Sequence, residues 1–220
     1  LLLSTLSRML SAGETGPAKA MGRNAMRIAL GLLPVAALIA GAAPEIVQLF
    51  FGPLFLSAAP LFAVLTFGAV AFVMISVAMA IVTAAGEPRL ALVLSVPLIP
   101  LAVVGHLVLI PRFGALGAAF VTTLCAGFGA LACVLAVYRL WSILPPIGTL
   151  GRSVLVSVLA YAPAVLWPAA GLFVLLKLAV IGVIIVLAYL VFREFSADEI
   201  TLARSFLSWK TTPGQHPHAI

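Results

Sequence analysis

Residues 172–192 read LFVLLKLAVIGVIIVLAYLVF, a run in which Lys177 is the only charged side chain. A helix of about 20 apolar residues is long enough to cross the hydrocarbon core of a bilayer. The rest of the chain has the same character: 64% of its 220 residues are hydrophobic, 8% are charged, and the mean hydropathy is +1.29. A soluble domain carries about 25% charged residues. The sequence therefore predicts an all-α bundle of transmembrane helices whose apolar surface faces lipid.

About six complete spans are predicted, separated at proline, glycine and charged residues. They cover residues 28–51, 58–85, 90–110, 115–137, 153–167 and 172–192. Because Leu1 is not a methionine and lies inside the apolar stretch LLLSTL, we expect residues 1–27 to be the end of a truncated helix followed by a basic loop. The predicted domains are this segment, a four-span domain at 28–141, two further spans at 142–193, and a tail at 194–220.

The tail carries one local signature. Ser196 and Glu199 have the S-x-x-E spacing of a helix capping box. Apolar residues then recur at helical spacing up to Trp209, which predicts a short amphipathic helix on the inner membrane surface, followed by a disordered end. Two histidines near that end, His216 and His218, are too few for a metal site, and we assign none.

The basic residues lie almost entirely on one side of the predicted spans. Ten of the twelve lysines and arginines fall there: Arg8, Lys19, Arg23, Arg27, Arg89, Arg139, Arg152, Arg193, Arg204 and Lys210. The opposite loops hold only Arg112. Since loops rich in lysine and arginine stay in the cytoplasm, we predict that this side and the C-terminus are cytoplasmic. The net charge of +6 is spread singly over helix ends, without a basic stripe, which argues against nucleic acid as a partner.

Small residues and prolines indicate where the helices pack and bend. Small side chains let membrane helices approach closely, and the fourth span offers Gly114, Gly117, Ala118, Thr122, Ala126 and Gly129 as packing positions. In the third span, Pro97 and Pro100 each remove a backbone donor. We expect a kink there, with carbonyls near Val93 and Val96 left without partners. The kink is either an ordinary proline kink or a hinge beside a cavity.

Three basic side chains are candidates to line a substrate path: Lys177, His106 and Arg112. A lysine at the bilayer centre costs about 3 kcal/mol. Lys177 either snorkels outward, because it lies about 9 Å along the helix from Gly171, or offers a cation to an anionic substrate. His106 either faces a cavity or lies at headgroup level.

Acidic residues are absent from the predicted span centres. Glu14, Glu87 and the three acids of the tail lie outside the spans, and Glu45 is expected at the outer interface. A proton or sodium antiporter usually needs an acid at the membrane centre. Paired carboxylates in a span, a phosphate-binding glycine loop, metal-ligand spacing and a nucleophile elbow are also missing. The sequence therefore favours a protein that is not an enzyme and has no cofactor.

Three motifs follow one another along the chain. Phe51-Gly52 is followed by AAPL at 58–61, then by AGEP at 85–88, and then by LIPRFGALGAAFVT at 109–122. Together they resemble the C-terminal half of polysaccharide flippases in the multidrug/oligosaccharidyl-lipid/polysaccharide exporter superfamily. The resemblance covers residues 1–141, whereas 142–193 match only as a hydrophobic pair.

This resemblance implies the second lobe of a two-lobed transporter with twelve to fourteen helices. The implied partners are membrane lipids, an N-terminal lobe of the same polypeptide, and an undecaprenyl-diphosphate-linked glycan as substrate. Alternating access would carry this substrate from the inner to the outer leaflet of a bacterial plasma membrane, which is the location that the resemblance implies. Two alternatives stay open: a cation-coupled multidrug antiporter of the same superfamily, and a membrane-embedded enzyme of envelope synthesis.

Overall fold

The computed structural model describes residues 2–192, and the predicted amphipathic helix of the tail lies outside them. The described part consists of helices without a strand, joined by short turns. The helices are α1 (Leu2–Ser11), α2 (Thr15–Gly31), α3 (Leu33–Gly41), α4 (Ala43–Phe51), α5 (Ala59–Ala84), α6 (Pro88–Ser95), α7 (Leu98–Trp141), α8 (Ile147–Leu166) and α9 (Phe173–Val191), with a 3-10 helix, Pro53–Ala58, before α5.

Five stretches of the described chain are long and apolar enough to cross a membrane. Large apolar side chains also point outward along them: Leu107 is 70% exposed and Val158 is 61% exposed. In water these surfaces would be unfavourable, whereas lipid solvates them. The prediction of an all-α transmembrane bundle is confirmed.

Prolines decide where several helices begin. Pro34, Pro44, Pro60 and Pro88 each stand in the first turn of a helix, α3, α4, α5 and α6 respectively. Proline is favoured there because its missing N–H is one that no intrahelical carbonyl would accept. The first predicted span, residues 28–51, consequently holds the end of α2 followed by α3 and α4, and the stretch that is long and apolar enough to cross a membrane is Thr15–Gly41 instead.

The predicted basic loop before that span is wrong. Most of it is helical, because α2 runs from Thr15 to Gly31. Its buried residues, Ala18, Gly22, Met26 and Ala29, recur every three or four positions and form one helix face. This face packs on α5 and on the end of α7, where an ideal Cβ on Gly22 would lie 3.2 Å from Ile81 Cδ1.

The longest helix, α7, reverses direction at Gly114. This residue has φ 58° and ψ −138°, a conformation that glycine adopts at little cost because it lacks a Cβ. The two arms then pack against each other: an ideal Cβ on Gly105 would lie 2.7 Å from Val121 Cγ1, and one on Gly129 would lie 2.8 Å from Leu98 Cδ1. The third and fourth predicted spans are therefore the two arms of one helical hairpin, turning at Pro111–Gly114.

The two larger of three groups of buried side chains in the described residues join most of the helices. The larger group joins α1, α2, α5 and the second arm of α7 through residues such as Leu6, Ile81 and Val137. The smaller group joins α3, α8 and α9 through Leu38, Ala160, Ile181 and their neighbours. The last two helices thus pack on α3, and residues 142–192 are part of the same bundle.

The helix ends form two opposite ends of the bundle. The basic end is the one that carries Arg23, Arg139 and Arg152. At the basic end, Arg23 of α2 borders a cleft with Ser142–Ile147, and Arg152 Nη1 donates a hydrogen bond to the Phe192 carbonyl at 3.1 Å. At the opposite end, Pro53 lies beside the Ala169–Gly171 turn. Arg112 belongs to the opposite end, because it lies at the bend of α7.

Candidate functional site

A buried ion pair joins α4 to α9. Lys177 Nζ donates to both carboxylate oxygens of Glu45, at 2.7 Å each, and its side chain is 0% exposed. The backbone N–H of Ala169 donates to Glu45 Oε1 at 3.1 Å. Lys177 therefore does not snorkel to the surface, and Glu45 is held by contacts with α9 and with the turn at Ala169.

Local sequence places both partners. Glu45 follows Pro44 in the first turn of α4, where the partial positive charge of a helix N-terminus favours a carboxylate. Lys177 lies in the second turn of α9, just past the Gly171 turn, so its side chain can reach α4. Ala169 belongs to the connection between α8 and α9. Three separate segments consequently converge on one carboxylate.

A cavity of about 250 Å³ opens beside the pair at the end opposite the basic end. Glu45 and Gln48 of α4 line one side, and Ala169–Gly171 with Val174 line the other. The Glu45 side chain is 16% exposed while Lys177 is completely buried. The carboxylate, not the ammonium group, is therefore the charge that faces the cavity.

Burying this pair does not by itself stabilise the fold. Removing a lysine and a carboxylate from water costs several kcal/mol per ion, which the Coulomb attraction repays only when the geometry is good. The symmetric contact of Nζ with both oxygens, and the additional N–H of Ala169, provide such geometry. Charged groups inside membrane helices are by default candidates for a functional site.

The other two candidates for a substrate path are not brought to this pair. His106 and Arg112 lie on α7, which packs mainly on α5, whereas α9 packs on α3, α4 and α8. His106 is half-buried, and its Nδ1 atom has no hydrogen-bond partner within residues 2–192. Arg112 is exposed at the bend. The structure thus leaves Lys177 with a partner and the other two apart from it.

The helix is interrupted where Pro97 and Pro100 were expected to kink it. α6 ends at Ser95 and α7 begins at Leu98, so that Pro100 lies in the first turn of α7. The Val96 carbonyl is not left without a partner, because the N–H of Ile99 donates to it at 3.2 Å. That part of the prediction is wrong: the chain starts a new helix with a tight turn and so supplies a donor.

The predicted packing positions of the fourth span fall into three classes. Gly117, Ala126 and Gly129 are buried. Ala118 and Thr122 are half-buried. Gly114 differs, because it is exposed and forms the bend instead of a helix contact. The hydrogen bond across this interface comes from the next residue, Thr123, whose Oγ1 donates to the Val64 carbonyl at 3.1 Å.

A second polar cluster was missed by the sequence analysis. Ser153 Oγ and Tyr189 Oη lie 3.0 Å apart in the interior, and Tyr189 Oη donates to the Gly31 carbonyl at 3.3 Å. It ties α8 and α9 to the junction between α2 and α3. The signal was available, since Tyr189 is a polar group in an otherwise apolar run.

Neither metal chemistry nor a known relative adds to this description. No group of three or more histidine, cysteine, aspartate or glutamate side chains converges within residues 2–192. Comparison with models of known families, with curated proteins and with solved structures gives no significant match.

Proposed function

We propose that this chain forms part of a bacterial plasma-membrane transporter that moves lipid-linked oligosaccharide or polysaccharide repeat units across the bilayer by alternating access. The observation that carries the proposal is the buried Lys177–Glu45 pair. A diphosphate crossing the membrane needs a cation to offset its charge. Lys177 is the one charged side chain among residues 2–192 that is fully buried in the bundle.

In this proposal Lys177 exchanges partners. With the cavity empty, Glu45 neutralises the ammonium group. A diphosphate that enters the adjacent cavity offers oxygen acceptors of the same kind and a larger negative charge, so that Lys177 can pair with it while Glu45 moves toward water. The exchange keeps the buried lysine paired in both states, which avoids the cost of an isolated charge.

The positions of the three sequence motifs also support the proposal. Phe51-Gly52 marks the end of α4, the AGEP stretch marks the end of α5, and Gly114 forms the bend of α7. Each of these motifs therefore includes a position where a helix ends or bends. The resemblance to polysaccharide flippases rests on positions that define the helix boundaries.

The proposal is tested in the bacterium that carries the gene. Cells without the protein should lose the surface glycan and accumulate its lipid-linked repeat unit in the inner leaflet. A Lys177→Met/Glu45→Gln variant, which has no charge to bury, should reach the membrane in normal amount and still fail to restore the glycan. Tyr161→Phe serves as a control, because its ring is 47% exposed. Normal glycan and normal lipid-linked pools in the deletion strain would refute the transport proposal.

One observation favours a second function, cation-coupled drug antiport. Glu45 is a carboxylate that faces a cavity beside a buried lysine, and such a group can exchange a proton or a cation. Under this alternative, expression of the protein lowers drug sensitivity and leaves the surface glycan unchanged. Glu45→Gln should then abolish drug resistance.

A further inference from the structure

A groove between α6 and the second arm of α7 has the form of a lipid site. It encloses about 310 Å³, and its walls are apolar, formed by Leu90 and Leu94 on one side and Ala132 and Leu135 on the other. The one charged side chain lining it is Arg139. An apolar slot that ends at a cation matches the two parts of an anionic phospholipid, its acyl chain and its phosphate.

The depth of the groove fits an acyl chain that enters from the basic end. Arg139 lies two residues before the end of α7, beside Tyr138, an aromatic side chain of the kind enriched at membrane interfaces. Ala132 is seven residues deeper, which corresponds to about 10 Å along the helix. The guanidinium group is thus at headgroup level when the upper methylene groups of a chain occupy the slot.

Charge at the mouth of the groove favours an anion. Arg139 is exposed and has no ion pair or hydrogen bond within the described residues. Arg89 follows Pro88 in the first turn of α6, next to Leu90 of the groove wall, and Glu87 precedes it as the N-cap. Two cations and one carboxylate leave the mouth with a net positive charge. The N-terminus of α6 adds a partial positive charge.

The interruption at Val96–Pro97 makes one wall of the slot a separate helix. Because α6 ends at Ser95, it is a separate helix of eight residues, and Leu94 in its last turn forms part of the groove wall. Opposite it, Ala132 and Ala136 are too small to fill the space that the leucines leave. We propose that this groove binds one anionic phospholipid of the leaflet at the basic end, with its phosphate on Arg139 and one acyl chain between α6 and α7.

Delipidated protein in neutral detergent provides the test. Phosphatidylglycerol should raise the thermal unfolding temperature more than phosphatidylcholine does, and native mass spectrometry should retain one phosphatidylglycerol per chain. In Arg139→Gln the apparent affinity for phosphatidylglycerol should fall about fivefold, as expected for one basic residue near the headgroup. Lys19→Gln is the matched control, because it removes an exposed cation of α2 that does not line the groove.

A second variant keeps the test decisive if charge alone governs binding. Ala132→Phe fills the slot and leaves Arg139 in place, so it should also abolish the retained lipid while Lys19→Gln keeps it. The proposal is overturned if Arg139→Gln and Lys19→Gln lose affinity equally. It is also overturned if Ala132→Phe still retains the lipid, the result expected when the lipid binds elsewhere on the protein.

Discussion

Lys177 and Glu45 lie 132 positions apart in the sequence and form a contact in which Nζ is 2.7 Å from each carboxylate oxygen. Glu45 belongs to the four-span part of the chain and Lys177 to the last helix. The pair therefore fastens the final two helices to the remainder at the end opposite the basic end. Separating the two residues would leave an uncompensated charge inside the bundle, which costs free energy.

Breaking the pair on one side should be strongly destabilising. Lys177→Met leaves Glu45 without its counter-ion, and removing one partner of a buried pair costs about 3–5 kcal/mol. We expect a matching drop in the free energy of unfolding, measured by denaturant titration in detergent. Lys177→Met/Glu45→Gln should recover most of it, since the glutamine oxygen still accepts from Ala169 N. Equal instability of the single and double variants would contradict this account.

The two arms of α7 should not tolerate a methyl group at Gly117. An ideal Cβ there would overlap the backbone carbonyl of Leu109 on the other arm. Although alanine is the better helix former, we expect Gly117→Ala to lower stability by about 1–3 kcal/mol, the usual cost of overpacking. Gly127→Ala on the same arm has open space around its Cβ and should be neutral or stabilising by up to about 1 kcal/mol. Thermal unfolding of both variants makes the comparison, and the reverse order would exclude the hairpin.

Thr123→Val should weaken the contact between α5 and α7 while preserving its shape. The variant loses the hydrogen bond to the Val64 carbonyl. Interhelical hydrogen bonds in membranes contribute about 0.6 kcal/mol on average, and we expect a loss of that size in the free energy of unfolding. Thr66→Val is the control, because Thr66 Oγ1 bonds back to Phe62 of its own helix. An equal or larger loss in Thr66→Val would contradict a contribution of the Thr123 hydroxyl across the interface.

Accessibility labelling tests the sidedness of the bundle. In a background with Cys125→Ala and Cys133→Ala, cysteines at Ser11 and Gly148 should react only from the cytoplasm. A cysteine at the exposed Ser57 should react only from outside. The reason is the excess of lysine and arginine at the basic end. Labelling of Ser11→Cys and Gly148→Cys from opposite sides would mean that the chain crosses the membrane an odd number of times between them.

The hydrophobic pattern predicted the fold best where a span is long and uninterrupted. The predicted last span, 172–192, differs by one residue at each end from the observed Phe173–Val191, and the PRFG turn is the bend of α7. The pattern did not predict the helix Thr15–Gly31. Lysine, arginine and glycine on its exposed face lower the mean hydropathy, although one face of the helix is buried. The residues of that buried face have helical spacing, so attention to the small residues would have revealed it.

The sequence singled out Lys177 but not its partner. A buried charge in an apolar run is visible locally, since each such charge raises the cost of inserting the helix. The choice of Glu45 depends on how α4, α9 and the turn at Ala169 meet in space. No local spacing encodes that meeting. The same holds for the hydrogen bond between Ser153 and Tyr189, which depends on the packing of α8 against α9.

The bend at Gly114 fixes more than its own hairpin. Glu45 precedes Gly114 in the chain and Lys177 follows it. The direction in which α8 and α9 cross the membrane therefore depends on the reversal at Gly114. A side chain at this position that kept α7 straight would invert the orientation of α8 and α9 in the membrane. Lys177 would then lie on the opposite side of the bilayer from Glu45. One backbone torsion thus determines whether the two charges can meet at all.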